Sequence, residues 1–173
     1  ILKKMRRMYT VRSFMDVLES FRGEIPDFNF TTDVIVGFPG ETEEDFAASA
    51  RIVKEAAFSH VHTFRYSRRK GTRADRLEDQ IVERVKSERA EIIRQLSEQN
   101  RLIYMESMLG KQQRVLIEKV DKKGLAHGYG EHYLPIQFPT PIRSKNIFQE
   151  VVLEKVVPGD TPVLEARDQS FNP

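Results

Sequence analysis

Residues 31–42 read Thr31-Thr-Asp-Val-Ile-Val-Gly-Phe-Pro-Gly-Glu-Thr42. The apolar run Val34-Ile-Val36 is continuous rather than alternating, the pattern of a parallel strand covered on both faces. Gly37-Phe-Pro-Gly40 breaks the strand, and Thr42-Glu-Glu-Asp45 fits a capping box opening a helix through Phe46, Ile52 and Val53 to about Ala57. A strand, a glycine turn and a helix N-terminus in this order mark the edge at which α/β proteins bind ligands. Asp33 falls inside the apolar strand, where a carboxylate is costly unless it is paired or hydrogen-bonded. A ribose hydroxyl pair is one suitable partner; a structural role capping a neighbouring turn is the alternative. Gly37 allows close approach of a ligand to the backbone.

Outward from this stretch, Thr10 to Gly23 predicts an amphipathic helix, with Phe14, Val17, Leu18 and Phe21 on one face, Thr10 as N-cap and Gly23 as stop. Pro26 blocks its continuation. Phe28 to Gly37 and Ser59 to Ser67 are the predicted strands, so strand and helix alternate as in a βαβ unit. A charged helix follows from about Ile81 to Met108, with Ile81, Val85, Ile92, Leu96 and Ile103 as its apolar stripe and Gly110 as its end. From Gln112 the runs are short and β-rich: 114–118, 132–138, 149–157 and 163–165. Turns at Asp121–Gly124, Gly128–Gly130, Pro139–Pro141 and Pro158–Asp160 separate them, predicting a small antiparallel barrel or sandwich. The expected domains are therefore 1–109 and 110–173. Two parallel strands with three helices leave strand edges and apolar helix faces uncovered, so residues 1–106 read as one arc of a larger sheet or barrel. With Ile1 first and Lys3 to Arg7 resembling the middle of an element, the chain reads as a fragment.

Composition bounds the function. The 173 residues hold 28 Lys+Arg, 26 Asp+Glu and 39% hydrophobic residues, as expected of a globular domain. The longest uncharged apolar stretch, Val34 to Pro39, is far short of the roughly 20 residues a membrane helix needs, and no basic-then-apolar leader is present; a cytoplasmic protein with no membrane partner is expected. Without cysteine, the chain's own side chains form no disulfide, thiolate nucleophile, Cys-type zinc site or iron–sulfur ligand. His60, His62, His127 and His132 lack a third ligand at a supporting spacing, and no Ser/His/Asp triad can be assembled, so neither a metal site nor a catalytic residue is assigned.

Charge is unevenly placed. Residues 26–64 hold 2 basic and 7 acidic residues, whereas residues 65–76 hold 6 basic and 1 acidic. A phosphate-contacting loop, with Tyr66, Ser67, Gly71 and Thr72 among the cations, and a solvated loop both fit this cluster. In the β-rich part, Lys111, Arg114, Lys119, Lys122, Lys123, Arg143 and Lys145 interleave with Tyr129, Tyr133, His127 and His132, although residues 107–173 total 9 basic and 8 acidic. A platform for single-stranded or looped RNA and an ordinary charged barrel surface both remain open.

Three stretches, Leu2-Lys-Lys-Met-Arg-Arg-Met-Tyr-Thr10, Thr31 to Thr42, and Phe64-Arg-Tyr-Ser-Arg-Arg-Lys-Gly-Thr72, closely resemble the radical S-adenosylmethionine (SAM) methylthiotransferases, and the tail from Gly110 resembles their TRAM domain. The resemblance implies the C-terminal part of a partial parallel (βα)6 barrel followed by a small antiparallel, OB-like β-barrel. It implies SAM and [4Fe–4S] clusters as cofactors, the clusters being held by cysteines in the missing N-terminal half, and a tRNA anticodon stem-loop as partner. Arg7 matches the arginine that contacts the SAM carboxylate, as a guanidinium does in a bidentate pair, and Asp33 the acid that receives the ribose hydroxyls. Ile35, Gly37, Phe64 and Tyr66 match positions along which the methionine and adenine portions pass. Glu41 falls one position late for the family's acidic contact, and Lys70 replaces the family's usual proline. RNA contacts are expected from Arg65, Arg68, Arg69 and Lys70, and from Lys122, Tyr129, Tyr133 and Arg143. Arg6-Arg-Met-Tyr-Thr-Val11, His62 to Arg69 and Arg73-Ala-Asp75 look most like the branch that methylthiolates N6-threonylcarbamoyladenosine beside the anticodon. The isopentenyladenosine branch, the branch acting on a ribosomal-protein aspartate, and a separable RNA-binding module are the alternatives. The fragment alone is expected to be inactive.

Overall fold

Thr10 and Ser13 close the first helix reciprocally, each backbone N–H donating to the other's hydroxyl at 3.1 Å. In the computed structural model, which describes residues 1–169, this helix is α1, Val11–Glu24. It runs through Gly23 and stops at Ile25, whose extended backbone precedes Pro26; proline rather than glycine ends it. Upstream, Ile1 to Met5 form a single helical turn. Arg6 closes it in the left-handed region (φ 60°), with Arg7 N–H on Leu2 O at 2.9 Å and Arg6 N–H on Lys3 O at 3.0 Å, a Schellman arrangement. Arg7 is thereby left exposed on the loop before α1.

Two units are distinct, residues 1–101 and the residues from Leu102 onward. In the first, β1 (Thr31–Val36) and β2 (His60–Arg65) form a two-stranded parallel sheet joined by α2 (Glu43–Glu55), whose Thr42–Asp45 capping box forms as the sequence predicts. Leu18, Phe46, Val53, Phe58 and Ile93 pack with Val36 and Val61 against one face of the sheet. Among the described residues no layer covers the other face, and the burial of β1 alternates. The expectation of a strand covered on both faces is therefore corrected: Asp33 and Ile35 are exposed, because the described residues supply no second layer there.

The third helix, α3 (Glu83–Ser107), also departs from its predicted stripe. Of that stripe Leu96 packs against the core as expected, but Ile92 and Ile103 are exposed, and the buried positions within residues 83–101 are Lys86, Arg89, Ala90, Ile93, Ser97 and Asn100. Four of those six are polar, and each meets a backbone group at a strand or helix end. Lys86 Nζ donates to Tyr66 O (3.1 Å), Arg89 to Glu41 O (3.1 Å), and Asn100 Nδ2 to Val53 O (2.8 Å), while Ser97 Oγ accepts the Val61 N–H (2.9 Å) on the edge strand. Arg89 also reaches the Glu41 carboxylate at 2.6 Å, both side chains being almost wholly buried. Counting apolar residues cannot find this face, because hydrogen bonding rather than hydrocarbon turns it inward.

From Leu102, Met105 and Met108 enter the core of a closed five-stranded barrel. Its strands are β3 (Gln112–Val120), β4 (Leu125–Tyr129), β5 (Pro135–Pro139), β6 (Ile147–Val157) and β7 (Val163–Asp168), in the order β3-β4-β5-β7-β6. Two expectations are corrected here. The β5–β7 pair is parallel, so the barrel is not purely antiparallel. The stretch around Gly128 is a strand rather than a turn; a Cβ there would stand 2.0 Å from Leu116 O, so this glycine marks the close crossing of β4 over β3.

Removing Arg89 leaves a buried carboxylate without its counter-charge. Arg89→Ala is expected to cost about 3–5 kcal/mol in urea unfolding of the first unit, and Glu41→Leu with Arg89→Met to recover part of it. A loss below about 1 kcal/mol, typical of exposed pairs, would mean that water reaches the pair.

Candidate functional site

The bare face of the β1–β2 sheet gathers three of the residues expected to meet a cofactor. Asp33 is paired across the strands with His62, and Ile35 with Phe64, so all four share one face. Ile35 is 39% and Phe64 51% exposed. An acceptor carboxylate beside two apolar side chains suits a ribose diol next to a flat ring.

The other three are placed differently. Gly37 adopts a left-handed φ of 70° and is buried, and a Cβ on it would stand 2.4 Å from Lys86 Cγ. Its N–H donates to Glu41 Oε2 at 2.7 Å, so the glycine is required to admit Lys86 and this turn. Glu41, out of register with the family motif, is thus the anchor of its own loop. Tyr66 lies just past β2, with its N–H on Val36 O (2.9 Å), its carbonyl taken by Lys86 and its ring 5.3 Å from Phe38. Its hydroxyl is buried without a hydrogen-bond partner among the described residues. Arg7 makes no side-chain hydrogen bond or ion pair among those residues. Asp33, Ile35 and Phe64 therefore fit an adenosyl group, whereas Gly37 and Tyr66 stand behind the sheet end. With no cysteine, the chain offers no thiolate to an iron–sulfur cluster.

On the outer edge of β2, the His60 and His62 rings meet at 4.5 Å beside a groove of about 270 Å³. Burial and the neighbouring His62 lower the His60 pKa. Among the described residues no three metal-ligating side chains come together, and no helix is long and apolar enough to cross a membrane.

The basic loop is organised by its single acid. Asp75 accepts from Arg68 Nε at 2.5 Å and from Gly71 N–H at 3.0 Å, so Arg68 is occupied within the loop. Arg65 turns to Ser87 (2.9 Å) and Glu83 (3.9 Å) on α3. Arg69 and Lys70 are exposed and without such partners among the described residues.

In the barrel the four expected RNA contacts separate into two pairs. Arg143 passes over Gly124, in the turn that holds Lys122, its guanidinium 2.9 Å from where a Cβ would stand. Tyr129 and Tyr133 lie at the other end of β4 and stack at 4.9 Å, with Tyr133 held at φ 56°. The sequence reading missed Phe148. It begins the strand at Gln149, whereas β6 starts at Ile147; that earlier start places Phe148 on the outer face, opposite Leu116.

No family model matches the chain. Over 138 residues, 80% of the chain and 32% of the relative, it is 41% identical to the threonylcarbamoyladenosine tRNA methylthiotransferase MtaB of Thermotoga maritima. To the Bacillus subtilis protein of that name it is 34% identical over 171 residues, 96% of the chain and 37% of the relative. The chain is homologous to a segment of the tRNA methylthiotransferases. It is also 45% identical, over 124 residues, to the tRNA-2-methylthio-N(6)-dimethylallyladenosine synthase of Acetivibrio thermocellus, matching 70% of the chain and 25% of that protein. The chain thus spans between 25% and 37% of the length of these curated relatives.

Arg68 and the Gly71 N–H hold the Asp75 carboxyl below the usual carboxylate range. Its contribution is therefore full at neutral pH and is lost as pH falls through the folded-state value. The Gly71 amide resonance is expected to titrate with a midpoint below the roughly 3.9 of a free aspartate, and Asp75→Asn to abolish that titration.

Proposed function

We propose that this chain is the C-terminal segment of a radical SAM methylthiotransferase that modifies N6-threonylcarbamoyladenosine beside the tRNA anticodon. Residues 1–109 would be the end of its SAM-binding barrel and residues 110–173 its TRAM domain. The observation that carries the reading is the similarity to the Bacillus subtilis MtaB protein across 96% of the chain. SAM, together with clusters ligated outside this chain, supplies the radical and methyl-transfer chemistry of methylthiolation at C2 of the adenine. The chain's own residues bind and orient. Asp33 accepts from the ribose hydroxyls, Ile35 and Phe64 pack on the adenine, and Arg7 pairs with the methionine carboxylate. Gly37 and Tyr66 shape the rim of that pocket through Lys86.

RNA contact falls to Arg65, Arg68, Arg69 and Lys70 in the loop, and to Lys122, Arg143, Tyr129 and Tyr133 on the barrel. Of these four loop cations, Arg69 and Lys70 are the two without a side-chain partner among the described residues and thus open to phosphate. Lacking cluster ligands, the segment by itself does not catalyse the reaction. Closure of the barrel into its own unit also supports a second reading, in which RNA recognition is the activity that survives in this segment.

The test is binding of the chain to anticodon stem-loops carrying threonylcarbamoyladenosine or isopentenyladenosine, across a salt series. Salt-sensitive binding that favours the threonylcarbamoyl loop is expected, and Arg69→Ala with Lys70→Ala should lower the slope by about 2, roughly 1 for each lost phosphate contact. Absence of binding by the folded chain at low salt would contradict the reading.

A further inference from the structure

Cations do not dominate the outer face of the barrel. Arg114 lies 3.6 Å from Glu131 and opposite Glu150 in the β3–β6 register. Lys155 is paired with Glu165 at 3.1 Å, and Arg167 with Glu154 at 2.9 Å. With 9 basic against 8 acidic residues over 107–173, phosphate attraction alone gives this unit little grip on RNA.

Exposed rings in register are what the face does offer. Leu116 is paired with Tyr129 on one side and Phe148 on the other, so the three side chains form a row across β4, β3 and β6. Two strand spacings, about 10 Å, separate its ends. Tyr133 stacks on Tyr129 and is 78% exposed, while Phe148 is 61% exposed and carries the Arg114 guanidinium 5.1 Å from its ring centroid. Beyond the bulge in β3, Lys119 and His127 are paired across the same two strands and add donors. Rings with an open face, a guanidinium above one of them and donors alongside suit flat, polar-edged bases better than an aliphatic protein surface.

We propose that the outer face of β4, β3 and β6 is a stacking surface for unpaired RNA bases, on which Tyr133, backed by Tyr129, holds one base and Phe148, under Arg114, holds a second. This rests on the RNA-binding reading above and deepens it. The loop cations set the salt dependence, and this row selects unpaired over paired RNA.

The experiment uses the whole chain at one salt concentration with two probes, a single-stranded RNA containing 2-aminopurine and a fully paired RNA hairpin stem. Single-stranded RNA is expected to bind more tightly, with quenching of the fluorescent base. Phe148→Leu and Tyr133→Leu, which keep apolar area but lose the ring, should each weaken it roughly 5- to 150-fold; Phe148→Tyr should retain it. Both sites are exposed, so unchanged thermal melting is the expected control for folding. If the leucine variants bind like the parent while Arg69→Ala with Lys70→Ala loses binding, RNA recognition stands and the stacking surface is overturned. Equal or tighter binding of the paired stem also overturns it. If the folded parent chain binds neither RNA, the underlying reading fails and takes this one with it.

Discussion

Arg89 reaches from α3 to Glu41, 48 residues earlier in the chain, and the end of the parallel sheet is built around that contact. Removing two charges from water costs several kcal/mol per ion, which is offset only where geometry and further hydrogen bonds are favourable. Here they largely are. The Glu41 carboxylate also takes the Gly37 N–H, and the guanidinium also reaches Glu41 O and Glu43 and lies 5.3 Å from the Phe46 ring. Burial alone lowers the Arg89 pKa, yet the two carboxylates outweigh it and hold the group above its ordinary value. Arg89 Nε, buried with no acceptor among the described residues, is the residual cost. What the pair gives in return is a single position for the Gly37–Glu41 turn.

That turn fixes the end of β1, and Lys86 fixes the position of Tyr66 just past β2, so the face carrying Asp33, Ile35 and Phe64 is set from behind by polar side chains of α3. Under the proposed function, this is how a two-stranded sheet with one bare side keeps binding groups in place. The barrel achieves precision in another way, through ring closure and a hydrocarbon core that takes in Met105 and Met108. Its outer face is then free to carry rings.

Much of this was legible in the sequence, for identifiable reasons. Thr10 and Thr42 announced their helices because capping is local, and Val34 to Val36 announced a strand because β propensity is local. The polar part of the inward side of α3 was not legible, although Leu96 was: Lys86, Arg89, Ser97 and Asn100 are buried by partners 20 to 48 residues away, and no spacing rule encodes such distances. Asp33 was expected in an apolar interior because its strand neighbours are apolar, but a strand sequence does not say how many layers cover it. Phe148 was hidden by a two-residue error at the start of β6, and in a structure of period two such boundaries decide what faces outward.

Side chains of α3 lock the backbone at the strand ends, and amide hydrogen exchange at Gly37 and Val61 reads that lock residue by residue. Neither amide depends on a sheet partner; one is held by Glu41, which Arg89 pairs, and the other by Ser97. Protection of both amides close to that of core residues such as Val36, with loss of Gly37 protection in Arg89→Ala and of Val61 protection in Ser97→Ala, is the expected result. Exchange of both at the rate of an open loop in the parent chain would show that α3 does not hold these strand ends.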